Sequence, residues 1–230
     1  MRALSDRPDE AIRVASAYAP YLAKLQALDI DFTDPDRTLS AAHEMCAAVR
    51  ETPDQVMSTL RTAKAMAHLA IAANDLSGQA DLAKTTRAIT AFADRAVQTA
   101  MDAALLERDL KATGLFVIAL GKMGAHELNY SSDIDVAAFF DPDVFEGGAR
   151  EPATAAAWTI QQAARTLSDR TRDGYVFRTD LRLRPDPSST PVAVSTRRAE
   201  LYYESVGQNW ERMVWIKGRT SAGDADAAAR

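Results

Sequence analysis

LFVIALGKMGAHELNYSSDIDVAAFF, residues 115–140, decides how the whole chain folds. Its two ends, 115–120 and 133–140, are short runs of apolar, β-branched and aromatic residues, the pattern of buried strands. A glycine-containing connection over 121–132 joins them. Upstream, residues 1–112 lack strand-like alternation and are expected to form successive amphipathic helices. One covers 37–50. The next has Thr52 as N-cap, Pro53 at its first position and Gln55 three residues after the cap, with Val56, Leu60, Ala63, Ala67 and Leu69 at helical spacing up to Gly78. A third runs from Ala80 to about Lys111 with Ile89, Phe92, Ala96 and Leu105, and Gly114 stops it. Downstream, 152–169 reads as a helix, and after the turn at Asp173-Gly174 the stretch YVFRTDLRLRP, 175–185, alternates like a strand ended by Pro185 and Pro187. TPVAVS, 190–195, reads as one more short strand, and 197–219 as a helix that tolerates Gly207. The expectation is an α+β fold: a helical region over 1–112, a mixed sheet with flanking helices over 113–196, and a helical segment over 197–230. The tail TSAGDADAAAR, 220–230, shows neither a stop signal nor a sheet partner, so it reads as the cut end of a longer protein.

Composition narrows the function classes. The chain has 230 residues, 47% hydrophobic and 26% charged, with a formal net charge of −5. That balance offers no general attraction to phosphate backbones or anionic lipid, so neither a nucleic acid nor a membrane is an expected partner. The basic residues that matter must act locally. The longest apolar run, Leu115 to Leu120, is far short of the roughly 20 residues a membrane span needs. The single cysteine, Cys46, lies in an alanine-rich helical pattern and reads as a packed, reduced thiol, which fits a cytoplasmic protein. His43 and His68 read as packing residues of their helices.

Asp133 and Asp135 stand two residues apart at the mouth of a strand, where side chains share a face. Unpaired, they repel each other. A divalent cation relieves that repulsion, and hard Mg²⁺, or Mn²⁺, prefers carboxylate oxygens combined with substrate phosphates. Capping or pairing with surface Lys and Arg would also explain them. GKMG, Gly121 to Gly124, follows a buried strand; its backbone can approach an anion, and Lys122 adds positive charge. It lacks the spacing of a P-loop. On the 175–185 strand, Asp180 shares a face with Arg178, Arg182 and Arg184. That face is either an outer, solvated one or, if the strand lies beside the Asp-x-Asp strand, a third carboxylate with arginine clamps for phosphate. The latter arrangement suits phosphoryl or nucleotidyl transfer.

LGKMGAHELNYSSDIDVAAFF, YVFRTDLRLRPDPSSTPVAVS and NWERMVWIKGR occur in order within residues 52 to 224, and with LRTAKAMAHLAIAANDLSG they closely resemble the bacterial bifunctional glutamine synthetase adenylyltransferase/adenylyl-removing enzymes. The resemblance implies a nucleotidyltransferase-type core over 113–196 and one of the two tandem copies that members carry. The wording of the motifs is closer to the N-terminal, adenylyl-removing copy. It further implies Mg²⁺ or Mn²⁺ held by Asp133, Asp135 and Asp180, and nucleotide phosphates of ADP or ATP lined by Gly121, Lys122, Gly124 and Ser132. Arg178, Arg182 and Arg184 would hold phosphate. The implied partners are glutamine synthetase and the PII signalling protein. Adenylylation from ATP, and a non-catalytic module that binds PII or glutamine synthetase, are the alternative readings. Ala125 and His126 depart from the family's pattern, and His126 reads as a surface or capping residue. In the last motif, Trp210, Met213 and Trp215 are expected in the core, and Glu211, Arg212, Lys217 and Arg219 either face the cleft or form a solvated helix face.

Overall fold

The computed structural model describes residues 3–48 and 53–230; Thr52, the expected cap, and the end of the 37–50 helix lie outside the described residues. The N-terminal half is helical: α1 (Pro8–Ser16), α2 (Pro20–Gln26), α3 (Pro35–Ala48), α4 (Pro53–Leu76) and α5 (Leu82–Leu106). α5 begins two residues later than the apolar period suggests, because the Asp81 carboxylate accepts from the Lys84 amide at 2.7 Å and fixes the start. Val56, Leu60, Ala63 and Ala67 of α4 and Ile89, Phe92, Ala93, Ala96 and Ala100 of α5 are buried in one core. Alanine at so many of these positions lets the helix axes approach closely. Cys46 is buried there, and burial pushes its thiol up to about 11, so it stays protonated. His68 is fully buried and pulled down to about 3, hence neutral, while His43 lies edge-on to Phe92. Both histidines pack as expected.

A buried arginine ties this helical half to the rest. Arg61 of α4 donates from Nε to the Gly174 carbonyl at 2.8 Å, from Nη1 to Met57 at 2.7 Å and Thr166 at 3.2 Å, and from Nη2 to Asp169. Thr166 belongs to α7 (Pro152–Ser168), and Asp169 caps that helix.

The strands are β1 (Leu115–Ala119), β2 (Ile134–Phe140), β3 (Thr179–Asp180), β4 (Ala193–Ser195) and β5 (Arg219–Gly223). β1 lies between β2 and β5, antiparallel to both. The other edge of β2 pairs in parallel first with β3 and then, farther along, with β4. Period-two alternation buries both faces of β1. Leu115, Val117 and Ala119 join the helical core, whereas Phe116 and Leu120 join Phe139, Val194, Ala199 and Ala227 on the opposite face. Such two-sided burial explains why the run is apolar without a break.

Four expectations are corrected. The long strand at 175–185 pairs only through Thr179–Asp180. Val176 and Phe177 donate instead to the Leu167 carbonyl, and the Arg182 amide turns back to the Asp180 carboxylate at 2.8 Å, so side-chain bonding ends the ladder. The expected helix over 197–219 divides into α8 (Thr196–Ser205), α9 (Asn209–Val214) and a 3₁₀ turn at Trp215–Lys217, with a Gln208/Glu211 capping box restarting it. Trp210 and Met213 are 59% and 66% exposed rather than core, and Trp215 packs on Phe139 and Tyr203. The tail does have a sheet partner. Residues 219–223 form β5, and Asp224 caps α10 (Ala225–Ala229) while accepting from the Gly114 amide at 2.7 Å. RTSAG carries no apolar alternation, so the pairing comes from the free edge of β1. Among the described residues no helix is long and apolar enough to cross a membrane.

Candidate active site

β2 and β3 build the centre of the site. Their parallel register sets Ile134 against Thr179 and Asp135 against Asp180, so the two carboxylates lie on one face of the sheet. Asp133 is exposed, immediately before β2. Burial first, then repulsion from Asp133 and Asp180, pushes the Asp135 carboxyl above the usual range, with Lys122 and Arg182 opposing. Asp135 therefore sits in the field of both other acids. Asp180 behaves oppositely: hydrogen bonds from Arg182 hold it below the usual range. Arg182 Nε donates to both Asp180 oxygens at 3.0 Å, and the guanidinium stays 83% exposed.

Gly121 opens a single helical turn, α6 (Gly121–Gly124), directly after β1. Its φ is +52°, and a Cβ there would lie 2.6 Å from Asp135 Oδ2. Only glycine meets both demands. Gly124 has a different neighbour. A Cβ on it would meet the Lys217 carbonyl at 2.1 Å, so its missing side chain serves packing beneath the 3₁₀ turn. The turn is pinned by Arg219, whose Nη2 donates to the Met123 carbonyl at 3.0 Å and pairs with Asp94 of α5 at 2.9 Å. His126, at φ +61°, ends α6 and is exposed, as expected for a surface or capping residue. Ser132 accepts from the Asn129 amide at 3.3 Å and shapes the loop ahead of Asp133.

The arginines do not share a face, because the strand that would align them is only two residues long. Arg178 is exposed, and its Nη2 donates to the Ser131 carbonyl at 2.8 Å. Arg184 is committed to the carbonyls of Leu181, Pro187, Thr190 and Pro191 and holds the 181–191 loop together. Of the residues near the end, Glu211 accepts from Tyr202, Arg212 donates to Tyr203, and Lys217 pairs with Glu127. The Asp94–Arg219 pair escaped the sequence reading. Its only signal is a charge on each of two helical patterns 125 residues apart.

Among the described residues no three His, Cys, Asp or Glu side chains are gathered into a ready cation cage. The donor set nevertheless fits a hard divalent ion: oxygen only, two members aligned by register, and Asp135 Oδ2 so close to residue 121 that a Cβ there would collide with it. Gly121→Ala is accordingly expected to weaken Mg²⁺ binding about tenfold and to cost about 1–2 kcal/mol for the left-handed backbone. Calorimetric titration and thermal denaturation measure the two effects separately.

Comparison with known proteins gives this arrangement a family. The family described as glutamate-ammonia ligase adenylyltransferase matches residues 9–230. A bifunctional glutamine synthetase adenylyltransferase/adenylyl-removing enzyme from Caulobacter vibrioides is 45% identical over 93% of the chain, which corresponds to 24% of that protein. Proteins of the same name from Mesorhizobium japonicum and Bradyrhizobium diazoefficiens are each 43% identical, over 80% and 91% of the chain and 21% and 23% of their own lengths. The chain spans about a quarter of the curated relatives it matches. With its sheet, its acid pair in register and a match over nearly its whole length, the chain belongs to the glutamate-ammonia ligase adenylyltransferase family.

Proposed function

We propose that this chain is the part of a cytoplasmic bifunctional enzyme that removes AMP from an adenylylated tyrosine of glutamine synthetase by phosphorolysis. An oxygen of inorganic phosphate bonds to the AMP phosphorus, the bond from phosphorus to the tyrosine oxygen breaks, and the phenolate leaves with its electron pair and takes up a proton. The products are ADP and free tyrosine. The observation that carries the reading is Asp135 opposite Asp180 on adjacent parallel strands, with Gly121 packed so close that a Cβ would meet the Asp135 carboxylate.

Asp133, Asp135 and Asp180 would hold Mg²⁺ or Mn²⁺, which when bound supplies positive charge against the phosphoryl oxygens and the departing phenolate. The chain's own cations work beside the acids. Lys122, exposed on α6, and Arg178, exposed at the start of β3, are placed to attract phosphate against the acidic background of the chain. Arg182 holds the Asp180 carboxylate ionised and can exchange that contact for a phosphate oxygen, because its guanidinium remains in solvent. Gly121 and Ser132 shape the loops on either side of the acids.

The names of the relatives carry both directions of transfer, so adenylylation of the same tyrosine from ATP is the second reading. PII is the regulatory partner proposed for either direction. The test is incubation of the chain with adenylylated glutamine synthetase, Mg²⁺ and phosphate. Release of ADP that requires phosphate is expected. Release of AMP instead, or unchanged turnover in Asp133→Ala, rejects the chemistry. Pyrophosphate formed from ATP with the unmodified target selects the second reading, and partner binding that ignores Mg²⁺ and yields no turnover selects a binding module.

A further inference from the structure

Behind the loop that leads to Asp133 lies a separate cavity of about 660 Å³, between α2, α4 and the 172–175 turn. Its size is that of a pocket for a small organic molecule. Leu25, Leu28, Ile30 and Ala65 give it an apolar wall, and Tyr130 and Ser131, from the loop before the acid pair, close one side. Lys64 contributes the cation best placed inside. Its Nζ lies 4.7 Å from the centre of the Tyr175 ring and spends one proton on the Tyr175 carbonyl at 3.1 Å, which leaves two donors. Burial, with Arg61 and Arg178 nearby, pulls this ammonium down to about 8.

Next to that wall, two buried polar groups lack hydrogen-bond partners among the described residues. The Tyr130 hydroxyl has none, and neither has Nε2 of His68, a fully buried residue whose ring stands edge-on to Tyr130 at 5.5 Å. The other ring nitrogen of His68 is taken by the Tyr21 hydroxyl at 2.9 Å. The Tyr130 hydroxyl is enclosed beside His68, so the donors that a bound carboxylate reaches from the cavity are the two free ones of Lys64. Lys24 and Arg172 offset Asp29 and Asp173 in the lining, Arg172 pairing with Asp173 at 3.5 Å, and the apolar wall favours an organic body.

We infer that this cavity binds a small monocarboxylate with an apolar or aromatic body, its carboxylate received by Lys64. No residue proposed for metal or phosphate belongs to it, so the inference stands apart from the reaction proposed above. Tyr130 and Ser131 stand directly before Ser132 and Asp133, which puts the occupant one short loop away from the acids.

Phenylacetate serves as the probe, with 2-phenylethanol as its neutral counterpart and inorganic phosphate as a competitor. Methyl NMR of the full chain should show shifts at Leu25, Ile30 and Ala65 with phenylacetate. The alcohol should bind at least about tenfold more weakly, the worth of a charge-assisted hydrogen bond. Lys64→Met should reproduce that loss. Leu28→Trp, at a half-exposed wall position, should block the cavity without disturbing the core. Equal binding of acid and alcohol, displacement by phosphate at equal concentration, shifts confined to other regions, or full affinity in folded Leu28→Trp would overturn the inference.

Discussion

Asp135→Asn is expected to lower phosphate-dependent ADP release on the order of a thousandfold, the several kcal/mol that a carboxylate-held metal charge contributes at a transferring phosphoryl group. The same variant is expected to melt at a higher temperature at neutral pH. The sign follows from the raised carboxyl of Asp135. A carboxyl that binds its proton more tightly in the folded chain than in the unfolded one adds stability at acid pH and forfeits it as pH rises through its folded-state titration. At pH 7 the ionised group is therefore a cost, set by burial and by repulsion from Asp133 and Asp180, and the neutral amide removes it. The gain in melting temperature should shrink as pH falls to the ordinary carboxylate range, where the wild-type group is itself neutral.

Asp180→Asn supplies the contrast. Arg182 holds Asp180 below the usual range, so its stabilising contribution is present above that range and lost on acidification. Both variants should lose turnover while their melting temperatures move in opposite directions at pH 7. Parallel pH-dependent melting curves and ADP assays check this. Two decreases in melting temperature would mean that Asp135 is a structural ion-pair member rather than a strained member of a site.

The second large effect concerns the join between the helical half and the sheet. Arg61→Met is expected to destabilise the chain by about 3 kcal/mol or more, because carbonyls of Met57, Thr166, Asp169 and Gly174 lose a charged donor and at least one stays buried. At about 2–4 °C per kcal/mol for a chain of this size, the midpoint should fall by roughly 6–12 °C. Arg61→Lys should recover little of it, since one ammonium cannot span carbonyls that a planar fork reaches together. Calorimetry distinguishes the outcomes. A midpoint within 2 °C of wild type would show that water replaces the guanidinium freely.

Sequence by itself determined the elements with strong periodicity. The α4 and α5 stripes, the apolar β1 and β2 runs and the helix α7 are legible because each must bury a continuous face, and burial writes a period of 3.6 or 2 into the residues. The acid pair was legible for a similar reason: charges that repel at fixed spacing need an explanation. Tertiary structure alone decided the rest. The arginine strand reads as eleven alternating residues yet pairs through two, because Asp180 and Arg184 find hydrogen bonds in a loop that sequence spacing does not reveal. RTSAG becomes a strand although nothing in it is patterned, since the free edge of β1 supplies the partner. Most consequentially, Asp135 meets Asp180 only through the β2–β3 register, and Gly121 is confined to glycine by its left-handed backbone together with the nearness of that carboxylate. Contacts between residues well separated in sequence leave no local periodicity, so they become visible only when the chain has closed on itself.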